Sequence, residues 1–254
     1  MIEKWAEILL EDYDAIRPNR VFSQNLDIDL DLAYKIQSEV SRLRILRGEK
    51  LIGYKVGCVS DVTRKQMGVD HSVTGRLYEN EVHQTNCDLS IKQFCNLGIE
   101  GELAIELSKT PGEEDFFENQ IPKCVKRVFP VIELHNITFS GAKSTVQELV
   151  ATNTIHAGFV ESTGSSNFSE AKTPSMKIYF DDQLIEDHKG MSFISIINTS
   201  LKWMIDVLEN REEELNEGQI ILTGTIPRLI PVEYPCCIKV DAYPFGSVET
   251  TITE

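Results

Sequence analysis

The sequence predicts an α+β fold: helices at the N-terminus, then a β-rich body carrying a few packed helices. Three observations predict it. Apolar residues recur at helical spacing through residues 1–50. From Leu51 onward the chain turns to short alternating segments. A regular βαβα alternation is missing, as is any phosphate-loop or G-x-G-x-x-G signature, which argues against a nucleotide-binding α/β sheet.

The first helix is read from Trp5, Ile8, Leu9 and Tyr13, with Pro18 ending the pattern. A second starts near Asp29, aligns Ala33, Ile36, Gln37, Val40 and Leu43 on one face, and is closed by Gly48. LIGYKVGCV reads as a glycine-interrupted strand, followed by a short helix through Met67 capped by Ser60 or Asp61. GRLYENEVH, IEGELAIEL, RVFPVIEL, IHAGFV, MKIYF, QLIEDH, QIILTG, CCIKVDAY and SVETTIT read as strands. KSTVQELVATN and SFISIINTSLKWMIDVLEN read as helices between them. The second of these carries Ile194, Ile197, Leu201, Met204, Ile205 and Leu208 on one face. KTPGEEDFFENQIPK and ESTGSSNFSEAKTP read as surface loops. Residues 1–50 are expected to form a helical segment packed on a core of residues 51–254, the two making one structural unit.

With 254 residues, 41% hydrophobic and 26% charged, the chain lies in the globular range. Lys plus Arg number 25 and Asp plus Glu 40, so the formal charge is 25 − 40 = −15. Such a chain repels nucleic-acid phosphates, which are not expected as partners. A small anionic substrate would be repelled too, unless a metal or a buried lysine supplies local positive charge. No apolar run approaches the ~20 residues that span a bilayer, so no membrane is expected. The start MIEKWAEILLEDYD lacks a basic n-region and a small-residue cleavage site. The six cysteines form no C-x-x-C pair, and a reduced, cytoplasmic protein is the expectation.

Three stretches could carry chemistry. In IEGELAIEL, Glu100 and Glu102 share one strand face with Ala104 and Glu106, about 7 Å apart at ~3.4 Å rise per residue. Taken alone, this pair reads first as the acidic outer face of a half-exposed strand. Like charges on one face repel, and a hard divalent cation would remove that penalty. In RVFPVIELH, Glu133 sits inside an apolar run and needs either a cationic partner or a metal to stay charged. His135 shares its face and reads as a packed or outer neighbour rather than a ligand. In GYKVG, Lys55 lies between glycines that permit close approach of a ligand or another backbone. It is either a lysine snorkelling from a strand edge or a partly buried proton donor. Thr223, Gly224 and Thr225 form a strand-end turn that either binds a carboxylate or only turns the chain.

In their order, GYKVG, E-x-E, VIEL, VATNTIHAGFV, LKWMIDVLEN, QIILTGTIPRLIPV and PFGSVETTI resemble the 2-keto-4-pentenoate hydratase and 2-oxo-3-hexenedioate decarboxylase family, in the fumarylacetoacetate hydrolase superfamily. The resemblance covers most of the chain. It implies a mixed β-roll core of the fumarylacetoacetate hydrolase C-terminal-domain type with N-terminal helices, assembled into homo-oligomers, in some cases with a pathway enzyme. It implies Mg²⁺ or Mn²⁺ held by Glu100, Glu102 and Glu133, with Lys55 as a catalytic residue. Substrate contacts are implied at Asn153, Thr223, Gly224 and Thr225. The implied substrates are small 2-oxo or 2-hydroxydienoic acids from aromatic-compound breakdown. Hydration of 2-hydroxypenta-2,4-dienoate to 4-hydroxy-2-oxopentanoate comes first. Decarboxylation of 2-oxo-3-hexenedioate (4-oxalocrotonate) follows, then acylpyruvate-type hydrolysis or a non-catalytic partner subunit. The hydrolase branch brings an N-terminal His–Glu pair, and no histidine precedes His71 here. The chain departs from the family pattern at His71–Thr74, where a carboxylate is missing, at Asn136 in place of Asp, and at Ile155-His156 in place of small residues.

Overall fold

The structure, a computed structural model, describes residues 1–23, 26–140, 144–165, 174–190, 192–224 and 227–254. Helices α1 (Ile2–Asp14) and α2 (Leu30–Leu46) precede β1 (Leu51–Gly57), α3 (Asp61–Met67) and β2 (Val73–Tyr78). Two short strands, β3 (Val82–Gln84) and β4 (Cys87–Ser90), lead to the long pair β5 (Leu97–Leu107) and β6 (Val125–Asn136). Then come α4 (Val146–Ala151), β7 (His156–Glu161), β8 (Ser175–Phe180), β9 (Gln183–Lys189) and α5 (Phe193–Glu209). The chain ends with β10 (Ile220–Leu222), β11 (Ile230–Pro231), β12 (Cys236–Tyr243) and β13 (Gly246–Thr253). The helix ends follow local chemistry. Asp29 caps α2 by accepting from the Leu32 amide at 2.7 Å. Gly48, with φ +100°, follows its last turn in the left-handed region. Ser60, rather than Asp61, caps α3, and left-handed Gly68 closes it.

The strands form two sheets. The larger runs β2-β1-β10-β5-β6-β7-β3, with β11 added on β5. It is mixed: β1 with β10 and β3 with β7 are parallel, the other pairs antiparallel. It curls into a half-barrel. The smaller sheet runs β4-β13-β12-β8-β9. The predicted alternation of β5 explains the layering. Ile99, Leu103, Ile105 and Leu107 join the core shared with Ile178, Ile238 and Val240 of the smaller sheet and with Ile197, Leu201 and Met204 of α5. Gly101 lets the sheets approach, since a Cβ there would lie 3.0 Å from Ile178 Cδ1 and 3.2 Å from Val240 Cγ2. The opposite face of β5 looks into the half-barrel, where Ala104 packs with Phe129, Phe159 and Leu222.

The N-terminal helices back one wall of that half-barrel. Leu9, Ala33 and Ile36 pack with Val73 of β2 and with Val146, Leu149 and Val150 of α4. Buried Gln37 bolts the three elements together, its Nε2 donating to Thr74 O at 2.9 Å and to Val150 O at 2.8 Å. Its Oε1 accepts from Arg76, whose other guanidinium nitrogen reaches Glu213 at 2.7 Å. GRLYENEVH is thus two strands, not one. The break at residues 79–81 buries Glu81 against Arg44 at 2.5 Å, a long-range ion pair that no local pattern announces. No helix of the described residues is long and apolar enough to cross a membrane.

Candidate metal centre

In the antiparallel pairing of β5 and β6, Glu100 lies directly opposite Glu133. Cross-strand partners share a face, so Glu100, Glu102 and Glu133 gather on the concave side. Lys55 comes from β1, two strands along the register Lys55–Leu222–Ala104. The curl brings its ammonium to 2.7 Å from Glu133 Oε1 and 3.4 Å from the carbonyl of Thr154. The lysine therefore does not snorkel: its side chain is buried, as is that of Glu133. Lys55, Glu100, Glu102, His135 and Thr154 line a 580 Å³ cleft, walled by Cys58, Met67, Phe139, Leu149 and Leu229.

Electrostatics sets the protonation states. Burial alone would lower the Lys55 pKa, but Glu133, Glu100 and Glu102 outweigh it and hold the ammonium above its ordinary value. Burial alone would raise Glu133, but Lys55, then His135 and His156, hold it well below the usual carboxylate range. Glu102 goes the other way, raised by burial and by the charges of Glu133 and Glu100 despite the Gly224 amide on its Oε2 at 3.1 Å. Three carboxyl groups thus face one ammonium; with all three ionised the formal charge would be 1 − 3 = −2, which a divalent cation would balance.

Two histidines complete the cluster. His156 Nδ1 lies 2.7 Å from Glu133 Oε1. Burial lowers the His156 pKa against the pull of Glu133, so the neutral ring donates its Nδ1–H to the ionised carboxylate. Oε1 of Glu133 therefore holds both Lys55 and His156, while its buried Oε2 has no hydrogen-bond partner among the described residues. His135 Nε2 stands 3.3 Å from Glu100 Oε2 and 3.5 Å from Glu133 Oε2, again without a hydrogen bond. Donor atoms of Glu100, Glu133 and His135 lie within 4.8 Å of one another, and Glu102 is not part of that cluster. Unpartnered buried donors converging on a point, with surplus negative charge, fit a hard or borderline divalent cation.

The other expected site residues have structural partners. Asn153 accepts from the Arg76 amide through Oδ1 at 2.7 Å and donates to the Arg76 carbonyl through Nδ2 at 2.8 Å. Its side chain thereby extends the β2 ladder and pins a left-handed turn over Asn153, Thr154 and Ile155, with φ of +56°, +51° and +54°. Such φ values cost on the order of 1 kcal/mol per residue, and this turn is what lays the Thr154 carbonyl on Lys55. Buried Thr223 donates to the Leu103 carbonyl at 2.8 Å. Gly224 orients Glu102. Thr225 lies outside the described residues. Asp70 and Glu79, the nearest carboxylates flanking His71–Thr74, pair on the surface with His71 and Lys50.

Glu106, the last acidic residue on the Glu100 face, leaves the cluster. It pairs with Lys126 at 2.6 Å and Arg127 at 2.5 Å. Burial pushes its pKa up, but the two cations prevail and hold it below the ordinary 4.5. A depressed carboxylate stabilises the fold above its unfolded-state pKa, and that contribution disappears as pH falls through the folded-state value. Urea unfolding should find Glu106→Gln less stable than wild type at pH 7. The gap should stay full above pH 4.5 and close as acid protonates the wild-type residue. A gap unchanged down to pH 3 would refute the ion-pair origin.

No family model matches the chain. Among characterised proteins it is 22% identical to a 2-keto-4-pentenoate hydratase of Burkholderia vietnamiensis over 228 residues, 89% of this chain and 87% of the relative. It is also 22% identical to a 4-oxalocrotonate decarboxylase of a Pseudomonas species over 202 residues, 79% and 76% of the two chains. The solved 4-oxalocrotonate decarboxylase of Pseudomonas putida G7, complexed with magnesium and adipate, superposes with a TM-score of 0.86 at 21% identity, covering 99% of this chain and 97% of that one. A fumarylpyruvate hydrolase from Pseudomonas aeruginosa, in complex with Mn²⁺ and pyruvate, gives a TM-score of 0.61 at 14% identity, covering 79% and 88%. The half-barrel with its N-terminal helices is therefore the fumarylacetoacetate hydrolase-like fold. Within that class the chain is a distant homologue, over most of its length, of the 2-keto-4-pentenoate hydratase and 4-oxalocrotonate decarboxylase family.

Proposed function

We propose that this protein is a divalent-metal-dependent lyase for small 2-oxo acids. Its proposed reaction is hydration of 2-hydroxypenta-2,4-dienoate to 4-hydroxy-2-oxopentanoate. The observation that carries the reading is the set of carboxylates Glu100, Glu102 and Glu133 around a buried lysine, with Glu133 Oε2 left unpartnered. Glu100 and Glu133 would hold Mg²⁺ or Mn²⁺, with Glu102, fixed by Gly224, as the third carboxylate. A bound cation would act as a Lewis acid toward the carboxylate and keto oxygens of the substrate.

The chain's own groups fit the remaining demands. Lys55, whose proton Glu133, Glu100 and Glu102 hold in the metal-free site, would serve as a positive charge and proton donor beside the substrate. Glu133 and Thr154 hold that proton-bearing nitrogen in place from two sides. The apolar side chains of Phe139, Leu149 and Leu229 restrict water around it. The hydration places one proton on the terminal carbon and one on the carbon beside the keto group, and adds the OH of water at the carbon between them; the 2-hydroxyl and the water each give up one proton, so the two gained are balanced by the two released. The Lys55 ammonium is placed to supply one of those protons.

A second reading, decarboxylation of 4-oxalocrotonate, is favoured by the 0.86 TM-score with the P. putida decarboxylase. The experiment is ultraviolet absorbance of 2-hydroxypenta-2,4-dienoate with protein and Mg²⁺ or Mn²⁺, then with EDTA, with the product identified by NMR. Metal-dependent 4-hydroxy-2-oxopentanoate is the expected result. A metal-loaded protein that forms none of it, but releases CO₂ from 4-oxalocrotonate, would replace the first reading by the second. Metal binding is followed separately: at a hundred times Kd, Mg²⁺ should stabilise the fold by about 2.7 kcal/mol, and Glu133→Gln should abolish that gain.

A further inference from the structure

We propose that His135 is a nitrogen ligand of the cation, and that it makes this centre select a borderline transition ion such as Mn²⁺ or Co²⁺ over Mg²⁺; the inference rests on the metal-dependent reading above.

The geometry begins with a β-bulge. Along β6 and β7, Glu133 pairs with Phe159 and Leu134 with Gly158, but His135 then pairs with His156, skipping Ala157. A regular register would set Ala157 opposite His135 and turn His156 to the other face. Bulges re-aim side chains. Here the bulge sends His156 to Glu133 Oε1, while His135, two residues along β6, stands against Oε2. One carboxylate is thereby divided: Oε1 is saturated by Lys55 and His156, and Oε2 is left facing Glu100 and His135.

His135 is 2% exposed, and neither ring nitrogen has a hydrogen-bond partner among the described residues. Leaving a buried polar atom unpaired is costly, and the residues of this cluster hold four such atoms: His135 Nε2 and Nδ1, His156 Nε2 and Glu133 Oε2. A cation bound by His135 Nε2 and Glu133 Oε2 relieves two of them at once. The spacing suits it. Donors about 2.1 Å from an ion lie roughly 3.0 Å apart at octahedral angles and 3.4 Å at tetrahedral ones. The observed separations from Nε2 are 3.3 Å to Glu100 and 3.5 Å to Glu133.

Selectivity follows from the donor set. Mg²⁺ prefers carboxylate and water oxygens, whereas imidazole suits the first-row transition ions. A centre of carboxylates alone carries little such bias; one imidazole among them adds it.

The test uses the full-length protein loaded with Mn²⁺. Pulsed electron paramagnetic resonance should show modulation from a directly bonded imidazole ¹⁴N. His135→Leu should keep Mn²⁺ binding through the carboxylates but lose that modulation. The ratio of Mn²⁺ to Mg²⁺ affinity, from calorimetric competition, should fall by about tenfold or more in the variant. Mn²⁺ bound without ¹⁴N modulation in the wild type overturns the proposal while leaving the metal centre standing. No Mn²⁺ binding at all overturns the metal-dependent reading with it. Should His135→Leu not fold, the wild-type spectrum decides.

Discussion

Lys55→Met should destabilise the metal-free protein by about 3–5 kcal/mol, the cost of removing one partner from a buried ion pair. The lysine is the positive charge at the floor of the cleft, 2.7 Å from a carboxylate that is itself wholly buried. Without it, Glu133 must either remain charged among Glu100 and Glu102 or take up a proton it now holds only at very low pH. Two further results separate this account from simple loss of packing. Mn²⁺ should recover part of the loss, because a cation on Glu133 Oε2 replaces the missing charge. Lys55→Met combined with Glu133→Leu should be more stable than Lys55→Met alone, since an apolar pair needs no compensation. Turnover should fall by roughly 10²–10⁴-fold, the range for losing a proton-transfer group. Urea unfolding in EDTA and in Mn²⁺ checks the stability claims. A loss below ~1 kcal/mol in EDTA would mean that the ammonium does not compensate the carboxylates.

The site was legible in the sequence as far as strand alternation carries. Glu100 and Glu102 had to share a face, and Glu133 had to be exceptional because it interrupts an apolar run. What alternation cannot give is register. That Glu100 stands opposite Glu133, and that Lys55 reaches the same carboxylate from β1, depend on pairing between residues 33 and 78 positions apart. His156 was legible only as an unusual residue after Asn153. Its contact with Glu133 requires the bulge at Ala157, whose one local hint in IHAGFV is the neighbouring Gly158, at φ +136°. His135, expected as a packed neighbour, stands out because neither of its buried ring nitrogens has a hydrogen-bond partner among the described residues, which no sequence pattern shows.

The fold shows the same division. Caps place α2 and α3 within a residue or two, because Asp29 and Ser60 act over a single turn, and the apolar face of α5 places it as closely. The short strands β4 and β11 were missed. Four and two residues long, they exist because β13 and β5 offer edges to pair with, not because of their own periodicity. Asn153 illustrates the limit best. The family resemblance implies a ligand contact at this asparagine, yet its amide is engaged with both backbone groups of Arg76, a residue 77 positions away.

That left-handed turn makes Gly75 the second position where a small change should act strongly. Gly75 lies opposite Lys55 in the β1–β2 pairing. A Cβ built there would fall 2.4 Å from Thr154 Oγ1, 2.9 Å from the Asn153 carbonyl and 3.1 Å from Lys55 Cγ. The hydroxyl could rotate away, but the carbonyl belongs to backbone already held at positive φ by Asn153, so relief must come from moving the turn or the lysine. Gly75→Ala should therefore cost about 1–3 kcal/mol, the usual range for overpacking. It should also lower kcat, because Thr154 and Lys55 are displaced together. Gly57→Ala, on the same strand as Lys55, is the matched control. Its Cβ comes closest to Val73 Cγ2, at 3.3 Å, a side-chain tip that can give, and meets the Val73 carbonyl at 3.8 Å and Thr154 Cγ2 at 4.0 Å in ordinary contact, so it should stay within ~1 kcal/mol of wild type. Thermal unfolding of both variants, with and without Mn²⁺, makes the comparison. If Gly75→Ala proves as mild as Gly57→Ala, the 153–155 turn yields easily and is not what fixes Lys55. A large loss confined to Gly75→Ala would locate the rigidity of the site in that turn and in the two hydrogen bonds by which Asn153 holds it.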